Sequence, residues 1–233
     1  MPQLGVIGGT VLLGKEIFTR AREKIFFTPY GKAKIYLTDE LAYLPRHGGP
    51  GDSYIFPHRI NYAANLWAFK DAGIETVISL NSTGSLKLDI QPGILVIPDD
   101  FISLYNIPTV FLDVSRHITP ILDGEVRAKL LKSAEMAGVS VFNGGIYWQS
   151  QGPRLETKAE ISFISQYADL VGMTMGSEAT IACELELPYG SICSVDNYAH
   201  GIVKSTLTDQ AIREAAANQA DVCLAIISAY LAL

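Results

Sequence analysis

Short apolar runs alternate with segments of helical spacing along almost the whole chain. The first runs that predict strands are LGVIGG, AKIYLT and LAYLPRHGG, the last of which breaks at Pro45. In INYAANLWAFKDAG, apolar residues return every three or four positions, which predicts a helix, and Gly73 suits its C-terminal cap. The chain therefore begins with several strands before its first helix.

The alternation continues to the C-terminus. Further strands are predicted in IETVISL, DIQPGILVIPDDFISL, SVFNGGIYWQS, LVGMT and YGSICSVDN. Helices are predicted in GEVRAKLLKSAEMAG, TKAEISFISQYA and SEATIACELEL, and a final helix carries one apolar face from Ile212 to Tyr230. Because the strands are apolar at nearly every position, we expect a sheet covered on both faces. The predicted fold class is α/β, a single-domain αβα sandwich with a central mixed β-sheet over residues 1–233.

The composition limits the classes of partner. The 233 residues carry a formal charge of −6 and no basic stripe, so we expect neither nucleic acid nor a membrane as a partner. Cys183, Cys193 and Cys223 are odd in number and form no CxxC pair, which favours buried thiols in a reducing compartment and no metal site. No secretory signal and no apolar run of membrane-spanning length is evident. We therefore expect a cytoplasmic protein.

The segment YLPRHGGPG places two potential cations, Arg46 and His47, where a strand should end. A guanidinium has the planar fork that suits phosphate, and a neighbouring histidine can donate a further hydrogen bond. Gly48, Gly49 and Gly51 allow a ligand to approach the backbone closely. These glycines favour an anion pocket over a surface arginine beside a core histidine.

Two small-residue segments are further candidates for anion binding. GVIGGT lacks the GxGxxG spacing of a dinucleotide site, but its backbone amides and the hydroxyl of Thr10 could face an oxyanion. NSTGS follows the strand ISL, and ligands of α/β sheets gather beyond the carboxyl ends of strands, so Ser82 and Thr83 are plausible donors. A tight turn explains either segment equally well.

Three later segments carry polar side chains at element boundaries. Glu156 precedes a predicted helix in QGPRLETKAE, where capping alone could account for it. Thr174 and Glu178 lie between a strand and a helix in GMTMGSEA, and Glu178 could be purely structural. SVDNYAHG leaves Asp196, Asn197 and His200 at a strand end. Local sequence does not separate functional from structural roles here.

These pieces occur together, in order, in one family. Residues 5 to 200 resemble the purine nucleoside phosphorylase and methylthioadenosine phosphorylase family. The motifs that carry the resemblance are VIGGT, TPYG, RHG, NYxANLWAxKxAG, GSL…IxPG, QGPRLETxAEI and VGMT…E…A.ELxLPY. QGPRLET and ELELPY are most similar to its bacterial methylthioinosine phosphorylase branch. The resemblance implies phosphorolysis of a purine nucleoside to the free base and ribose 1-phosphate, in a homotrimer whose sites lie near subunit boundaries. It implies no metal and no organic cofactor, with inorganic phosphate as co-substrate.

The resemblance also implies roles for individual residues. Phosphate would be held by Thr10, Arg46, His47, the backbone around Ser82, and Thr174. Met173 would pack under the ribose, and Glu156 and Asn197 would hold the base, with Asn197 and His47 as the groups closest to the chemistry. His117, in SRHITP, matches a position that a neighbouring subunit contributes to the 5′ end of the sugar.

The base preference follows from hydrogen-bonding patterns. The amide of Asn197 can donate to O6 while its carbonyl accepts from a protonated N7, and an ionised Glu156 accepts from N1–H. This pattern favours a 6-oxopurine, in 5′-methylthioinosine or in inosine and guanosine. Asp196 could swing into the base site and restore adenine recognition, as in a methylthioadenosine phosphorylase. The same residues are also compatible with a hydrolytic nucleosidase and with a non-catalytic purine-binding protein.

Overall fold

The structure is a computed structural model that describes residues 2–9, 21–204 and 208–233. The described strands are β1 (Leu4–Gly8), β2 (Arg22–Thr28), β3 (Gly31–Leu37), β4 (Leu41–Pro45), β5 (Thr76–Ser85), β6 (Leu95–Ile97), β7 (Asp100–Ile102), β8 (Val141–Asn143), β9 (Ile146–Gln149), β10 (Leu170–Gly172) and β11 (Tyr189–Tyr198). The described helices are α1 (Tyr62–Asp71), α2 (Gly124–Met136), α3 (Lys158–Ile164), α4 (Met175–Glu184) and α5 (Asp209–Leu231).

The strands form one mixed sheet in the order β2-β3-β4-β1-β5-β10-β9-β7. Strand β11 also pairs with β5 and β6, and β6 pairs with β8. Strands β4, β1, β5 and β11 run parallel, whereas β2, β3 and β4 form an antiparallel meander at one edge. The predicted α/β class and the mixed sheet are confirmed.

Helices cover both faces of the sheet. The apolar side chains of α1 and α4 pack into one buried cluster, and those of α2 and α5 into another on the opposite face. The predicted apolar face of α5 is buried at Ala216, Ala220, Cys223, Ile227 and Tyr230. The sandwich architecture therefore follows from the predicted periodicity. Within the described ranges, no helix combines the length and apolarity that crossing a membrane requires.

The end of α1 illustrates how local sequence sets an element boundary. Gly73 adopts a φ of +74°, the left-handed conformation that glycine reaches without a steric penalty. Its amide donates to the carbonyl of Lys70, and the amide of Ile74 donates to that of Phe69, both at 3.0 Å. These two bonds form the helix-ending motif that the glycine predicted.

Other boundaries differ from the prediction. Strand β2 was not predicted, because its charged and exposed positions in REKIFFT hide the strand pattern. DIQPGILVIPDDFISL forms the two short strands β6 and β7 instead of one. SVFNGGIYWQS divides into β8 and β9 because Gly144 and Gly145, at φ of +110° and +104°, turn the chain between them. NSTGS is not a loop, since β5 continues through it to Ser85.

The central strand β5 creates the opening for a site. Strand β11 pairs with β5 along residues 77–85 on one side. On the other side, β1 pairs with residues 76–79 and β10 with residues 84–85. No strand in the described part of the chain pairs with residues 80–83 on that second side, so the sheet leaves a gap there.

Candidate functional site

A cavity of about 370 Å³ lies at this gap in the sheet. The volume is within the range of pockets that bury a small organic ligand. Its walls come from the ends of β4, β5, β10 and β11, from the segments that follow them, and from α5. The lining residues are Arg46, His47, Tyr54, Phe56, Pro57, Ser82, Thr83, Gly84, Pro153, Leu155, Glu156, Val171, Gly172, Met173, Thr174, Asn197, Ala199, His200, Ile212 and Arg213.

Arg46 is fixed at one end of the cavity by a buried ion pair. Its Nε donates to Glu178 Oε1 at 2.6 Å and its Nη2 donates to Oε2 at 3.0 Å, a bidentate arrangement. Its Nη1 donates to the carbonyl of Leu80 at 2.8 Å, in the unpaired stretch of β5. Arg46 and Glu178 are only 2% and 1% exposed. These contacts use three of the five guanidinium N–H groups, so two are left for a ligand.

The charge of Arg46 persists despite its burial. Burial alone would lower the pKa of Arg46, but the Glu178 carboxylate opposes this and holds the pKa above its ordinary value. Gly9 is required at this point because a Cβ there would lie 2.4 Å from Nη1 of Arg46. Gly9 of GVIGGT therefore gives the guanidinium its space.

His47 is next to Arg46 and is neutral in the free protein. Its Nδ1 lies 2.8 Å from the carbonyl oxygen of Ile55, which can only accept, so Nδ1 carries the proton. Burial, followed by the charge of Arg46, lowers the pKa of His47 to about 4. Its Nε2 is therefore a hydrogen-bond acceptor at neutral pH. This differs from the donor role that the sequence suggested, which would require an imidazolium.

Ser82 and Thr174 line the same end of the cavity, but their hydroxyls already have buried acceptors. The Thr174 hydroxyl donates to Asn81 Oδ1 at 2.9 Å, and the Ser82 hydroxyl donates to Asp196. The amides of Thr174 and Met175, at the start of α4, donate to Tyr147 Oη at 3.1 and 3.3 Å. These first amides of the helix are thus bonded within the protein. Thr10 lies outside the described residues.

Glu156 lies in the segment after β9, four places from β4 in the sheet order, so it forms the opposite end of the cavity from Arg46. Helix capping does not account for it. The N-cap of α3 is Thr157, and Glu160 completes a capping box with it. Glu156 instead accepts a hydrogen bond from the Ser150 hydroxyl and lines the cavity. Its carboxylate has capacity for further donors, because an ionised carboxylate accepts several hydrogen bonds.

Asn197 lines the cavity near the end of β11, on the segment that leads to His200. One amide N–H of Asn197 donates to the carbonyl of Tyr198 at 2.9 Å, which leaves the second N–H and the carbonyl oxygen for a ligand. A Cβ at Gly84 would lie 3.1 Å from Asn197 Nδ2, so the glycine gives the amide its space. His200 also lines this end, with Nδ1 3.3 Å from the carbonyl of Glu156. This end combines a carboxylate, an amide and an imidazole.

Met173 lies between the two ends. Its thioether faces Gly152, where a Cβ would lie 2.6 Å from Sδ, and its carbonyl accepts from the Tyr62 hydroxyl at 3.2 Å. Met173 therefore forms an apolar part of the cavity wall, as packing against a sugar would require.

Two predicted site residues lie away from the cavity wall. The Asp196 carboxylate accepts from Ser82 and from the Ser194 hydroxyl, at 2.7 Å for the latter, and a contact with a base would require its side chain to turn. His117 is exposed in the segment between β7 and α2 and does not line the cavity. A partner-subunit role for His117 remains a prediction.

Several residues of the site were not predicted. The sequence pattern places Glu178 at a helix start, and its pairing with Arg46 spans 132 residues, which no local pattern reveals. Asn81 holds Thr174 and also donates to Ser79 and Ser191 at 2.6 and 2.8 Å. Tyr54 stacks on His47 with ring centroids 4.9 Å apart. Ile212 and Arg213 reach the cavity from α5.

The chain matches a family model along nearly its whole length. The match is to the phosphorylase superfamily and covers residues 3–232. A protein of Archaeoglobus fulgidus named "probable 6-oxopurine nucleoside phosphorylase" is 42% identical over 229 residues, covering 96% of this chain and 93% of the relative. A "probable S-methyl-5'-thioinosine phosphorylase" of Methanocaldococcus jannaschii is 38% identical, covering 91% and 84%.

Solved structures share the fold. A methylthioadenosine phosphorylase from an antarctic soil metagenomic library has a TM-score of 0.86 at 26% identity, covering 99% of this chain and 85% of that one. A methylthioadenosine phosphorylase of Schistosoma mansoni has a TM-score of 0.88 at 23% identity, covering 100% and 91%, and is evidence for the fold alone. The resemblance drawn from the motifs is thus confirmed, and the chain belongs to the phosphorylase superfamily.

Proposed function

We propose that the protein cleaves a 6-oxopurine nucleoside with inorganic phosphate, releasing the free base and a ribose 1-phosphate or 5-methylthioribose 1-phosphate. The names of the archaeal relatives support this reaction, because they specify 6-oxopurine nucleosides and S-methyl-5'-thioinosine. The geometry supports it independently, because one cavity has a fixed cation at one end and hydrogen-bonding groups at the other.

Arg46 and His47 are the proposed phosphate-binding groups. The two remaining guanidinium N–H groups of Arg46 would donate to phosphate oxygens. A hydrogen phosphate dianion keeps one P–OH group, which would donate to the Nε2 lone pair of neutral His47. Ser82 and Thr174 would complete this end of the site, and Thr10 is a further candidate.

The bound dianion would act as both electrostatic stabiliser and nucleophile. Breaking the glycosidic bond develops positive charge on the ribose, which a dianion below the ring stabilises before it bonds to C1′. The electron pair of the glycosidic bond leaves with the purine. No side-chain nucleophile, metal or organic cofactor takes part in this proposed route.

Asn197 and Glu156 are the proposed contacts of the purine. The base takes up one proton at N7 as it leaves, and the balance is kept because hydrogen phosphate loses its proton to solvent when it becomes the ribose 1-phosphate dianion. The carbonyl oxygen of Asn197 would accept that N7–H while its free amide N–H donates to O6. Glu156 would accept from N1–H. The amino group of adenine would place its own N–H against the free N–H of Asn197, and the adenine N1 acceptor would face the acceptor Glu156, so adenine nucleosides are disfavoured.

The placement of Arg46 and Glu156 at opposite ends of one cavity carries this proposal. The test is a panel of inosine, guanosine, 5′-methylthioinosine and 5′-methylthioadenosine, each incubated with and without phosphate, with base release measured. We expect cleavage of the 6-oxopurine substrates only when phosphate is present. The ratio of methylthioinosine to inosine turnover gives the preference at the 5′ position.

Each rival function has its own signature in the same panel. Base release without phosphate would identify a hydrolytic nucleosidase. Cleavage of methylthioadenosine alone would contradict the roles given to Asn197 and Glu156. Nucleoside binding without turnover at saturating phosphate would identify a non-catalytic binding protein.

We also infer that the enzyme is a homotrimer in the cytoplasm. The segment between β7 and α2 exposes Leu104, Tyr105, Leu112 and Val114 close in sequence to His117, as a subunit contact would require. Sedimentation analysis should give a species three times the mass of the chain. Free Cys183, Cys193 and Cys223 fit a reducing compartment.

A further inference from the structure

The bulge in β11 turns two neighbouring side chains in different directions. In the pairing with β5, Val195 lies opposite Thr83 and Asn197 lies opposite Gly84, so Asp196 is the extra residue. Asn197 faces the cavity, whereas the Asp196 side chain lies behind the cavity wall against Ser82. Among the described side chains of the cavity wall, Asp196 is hydrogen-bonded to Ser82.

Asp196 is a buried acid without a cationic partner in the described residues. It is 6% exposed, and its oxygens accept from the Ser194 and Ser82 hydroxyls. The titratable groups that face it are two thiols, Cys193 on β11 and Cys223 on α5, and burial raises the pKa of both to about 12. Within the described elements, β5 and β6 present uncharged side chains to it, and the nearby charge of Arg46 is paired with Glu178.

The ionisation of Asp196 sets the direction of the Ser82 hydroxyl. A carboxylate can only accept hydrogen bonds, so the Ser82 hydroxyl donates to ionised Asp196 and turns its oxygen lone pairs toward the cavity. A protonated Asp196 can donate to Ser82 Oγ, which frees the Ser82 proton to point into the cavity. An oxyanion in the cavity favours the second arrangement, both because it gains a donor and because the negative charge behind the wall is removed.

We propose that Asp196 is a positioning residue that binds one proton when an oxyanion fills the cavity, so that Ser82 becomes a donor to that anion. The proton comes from solvent and stays on the Asp196 carboxyl, and no covalent bond changes. The inference rests on the proposed function only in taking the natural anion to be phosphate. Burial raises the pKa of Asp196 to about 7, against the hydrogen bonds from Ser82 and Ser194, so uptake would fall near neutral pH.

Proton uptake can be measured with sulfate, an oxyanion that does not titrate near neutral pH. Titration calorimetry of the full chain with sulfate, in buffers of different ionisation enthalpy, gives the number of protons bound with the anion. We expect the wild-type protein to bind one proton more at pH 8.5 than at pH 6, because Asp196 is already protonated at pH 6. Wild-type affinity for sulfate should fall about tenfold for each pH unit above 7.

Two variants separate the proton on Asp196 from one on His47. Asp196→Asn imitates the protonated acid, since its amide donates to Ser82 and its carbonyl accepts from Ser194. It should bind sulfate tightly at both pH values, without the extra proton. Ser82→Ala removes the donor itself and should bind sulfate more weakly than the wild type at pH 6. Uptake at His47 is common to all three proteins and cancels in the comparison.

The outcomes also distinguish this inference from the proposed function. If Asp196→Asn shows the same pH dependence and proton number as the wild type, Asp196 has no such role, while phosphate-dependent catalysis is unaffected. Equal proton numbers for the wild type at pH 6 and 8.5 would overturn the inference without any variant. If neither sulfate nor phosphate binds the wild-type protein, the proposed function itself fails.

Discussion

The two ends of the cavity are built in different ways. At the end with Arg46, the guanidinium and the hydroxyls of Thr174 and Ser82 are held by buried groups, namely Glu178, Leu80, Asn81 and Asp196. At the end with Glu156, the side chains come from a loop and a strand end, and each has one or two partners. Most of the residues there are half-buried or exposed.

The difference matches the two tasks of the proposed reaction. Phosphate is the same in every turnover, so its end can be fixed by a network that involves the core of the sheet. The purine differs between members of the superfamily, and contacts from loops and single side chains can change without disturbing that core. Changes at the Arg46 end should therefore affect stability and activity together, whereas changes at the Glu156 end should affect base selectivity and turnover with little effect on stability.

The largest effect is expected for Arg46→Ala. Removing the guanidinium leaves Glu178 as a buried, unpaired carboxylate, which should lower the free energy of unfolding by about 3–5 kcal/mol. Loss of the main phosphate donor should reduce kcat/KM for phosphate by at least about 10²–10³-fold. Urea denaturation and the phosphorolysis assay measure the two effects.

The double variant Arg46→Met, Glu178→Met is the matched control. Replacing both partners by apolar side chains of similar length should restore most of the stability, because no unpaired charge remains. Activity should stay lost. An Arg46→Ala protein as stable as the wild type would show that the ion pair does not brace this end of the cavity.

The second prediction concerns pH and His47. Its pKa is about 4 in the folded protein against an ordinary value of 6.5, so the unfolded chain binds more protons between these values. Stability should therefore fall as the pH falls through this window, by about 3 kcal/mol in total. Denaturation curves of the wild type and His47→Gln between pH 7 and 4 test this, since the variant should lack that part of the slope.

The wild type and His47→Gln must be compared because Asp196 contributes a pH dependence of stability of the opposite sign. Its raised pKa makes the folded state less favourable as pH rises from about 4 to 7, in both proteins alike. Equal slopes for the wild type and His47→Gln would mean that His47 is not held neutral by burial.

Much of the fold could be predicted because the core is made of regular elements. The periodicity of α1, α2 and α5 and the apolar runs of β1 and β4 are local signals. Strand β2 was missed because its exposed, charged positions resemble a loop. The extension of β5 through NSTGS was missed because small polar residues are typical of turns, and here the equally polar end of β11 pairs with them.

The candidate site was easiest to predict where one segment carries adjacent polar groups, as with Arg46 and His47, which line the cavity. Glu178 could not be recognised, because its function is defined by a partner 132 residues away. The sequence also could not predict whether His47 Nε2 donates or accepts a hydrogen bond, because its acceptor role depends on the contact of Nδ1 with the carbonyl of Ile55. Sequence motifs thus located the groups, and tertiary contacts determined their protonation.

The smallest effect on the protein, and the sharpest test of the comparison, is expected for Asn197→Asp. A carboxylate accepts from the amino group of adenine but cannot donate to O6, so the ratio of 6-aminopurine to 6-oxopurine cleavage should rise about tenfold to a hundredfold. The free energy of unfolding should change by less than about 1 kcal/mol, because Asn197 is half-buried and has one partner in the described residues. Competition assays with methylthioadenosine and methylthioinosine measure the ratio.

Glu156→Gln gives the complementary change, since its amide can donate to the N1 acceptor of adenine. If the two side chains contact one base, the double variant should favour 6-aminopurines more than either single variant does, and KM for phosphate should stay constant throughout. An unchanged substrate ratio in all three variants would show that the base does not bind at this end of the cavity. A large rise in the phosphate KM would instead show that the two ends are coupled, and that the Glu156 end is not the independent selectivity element that its sparse contacts indicate.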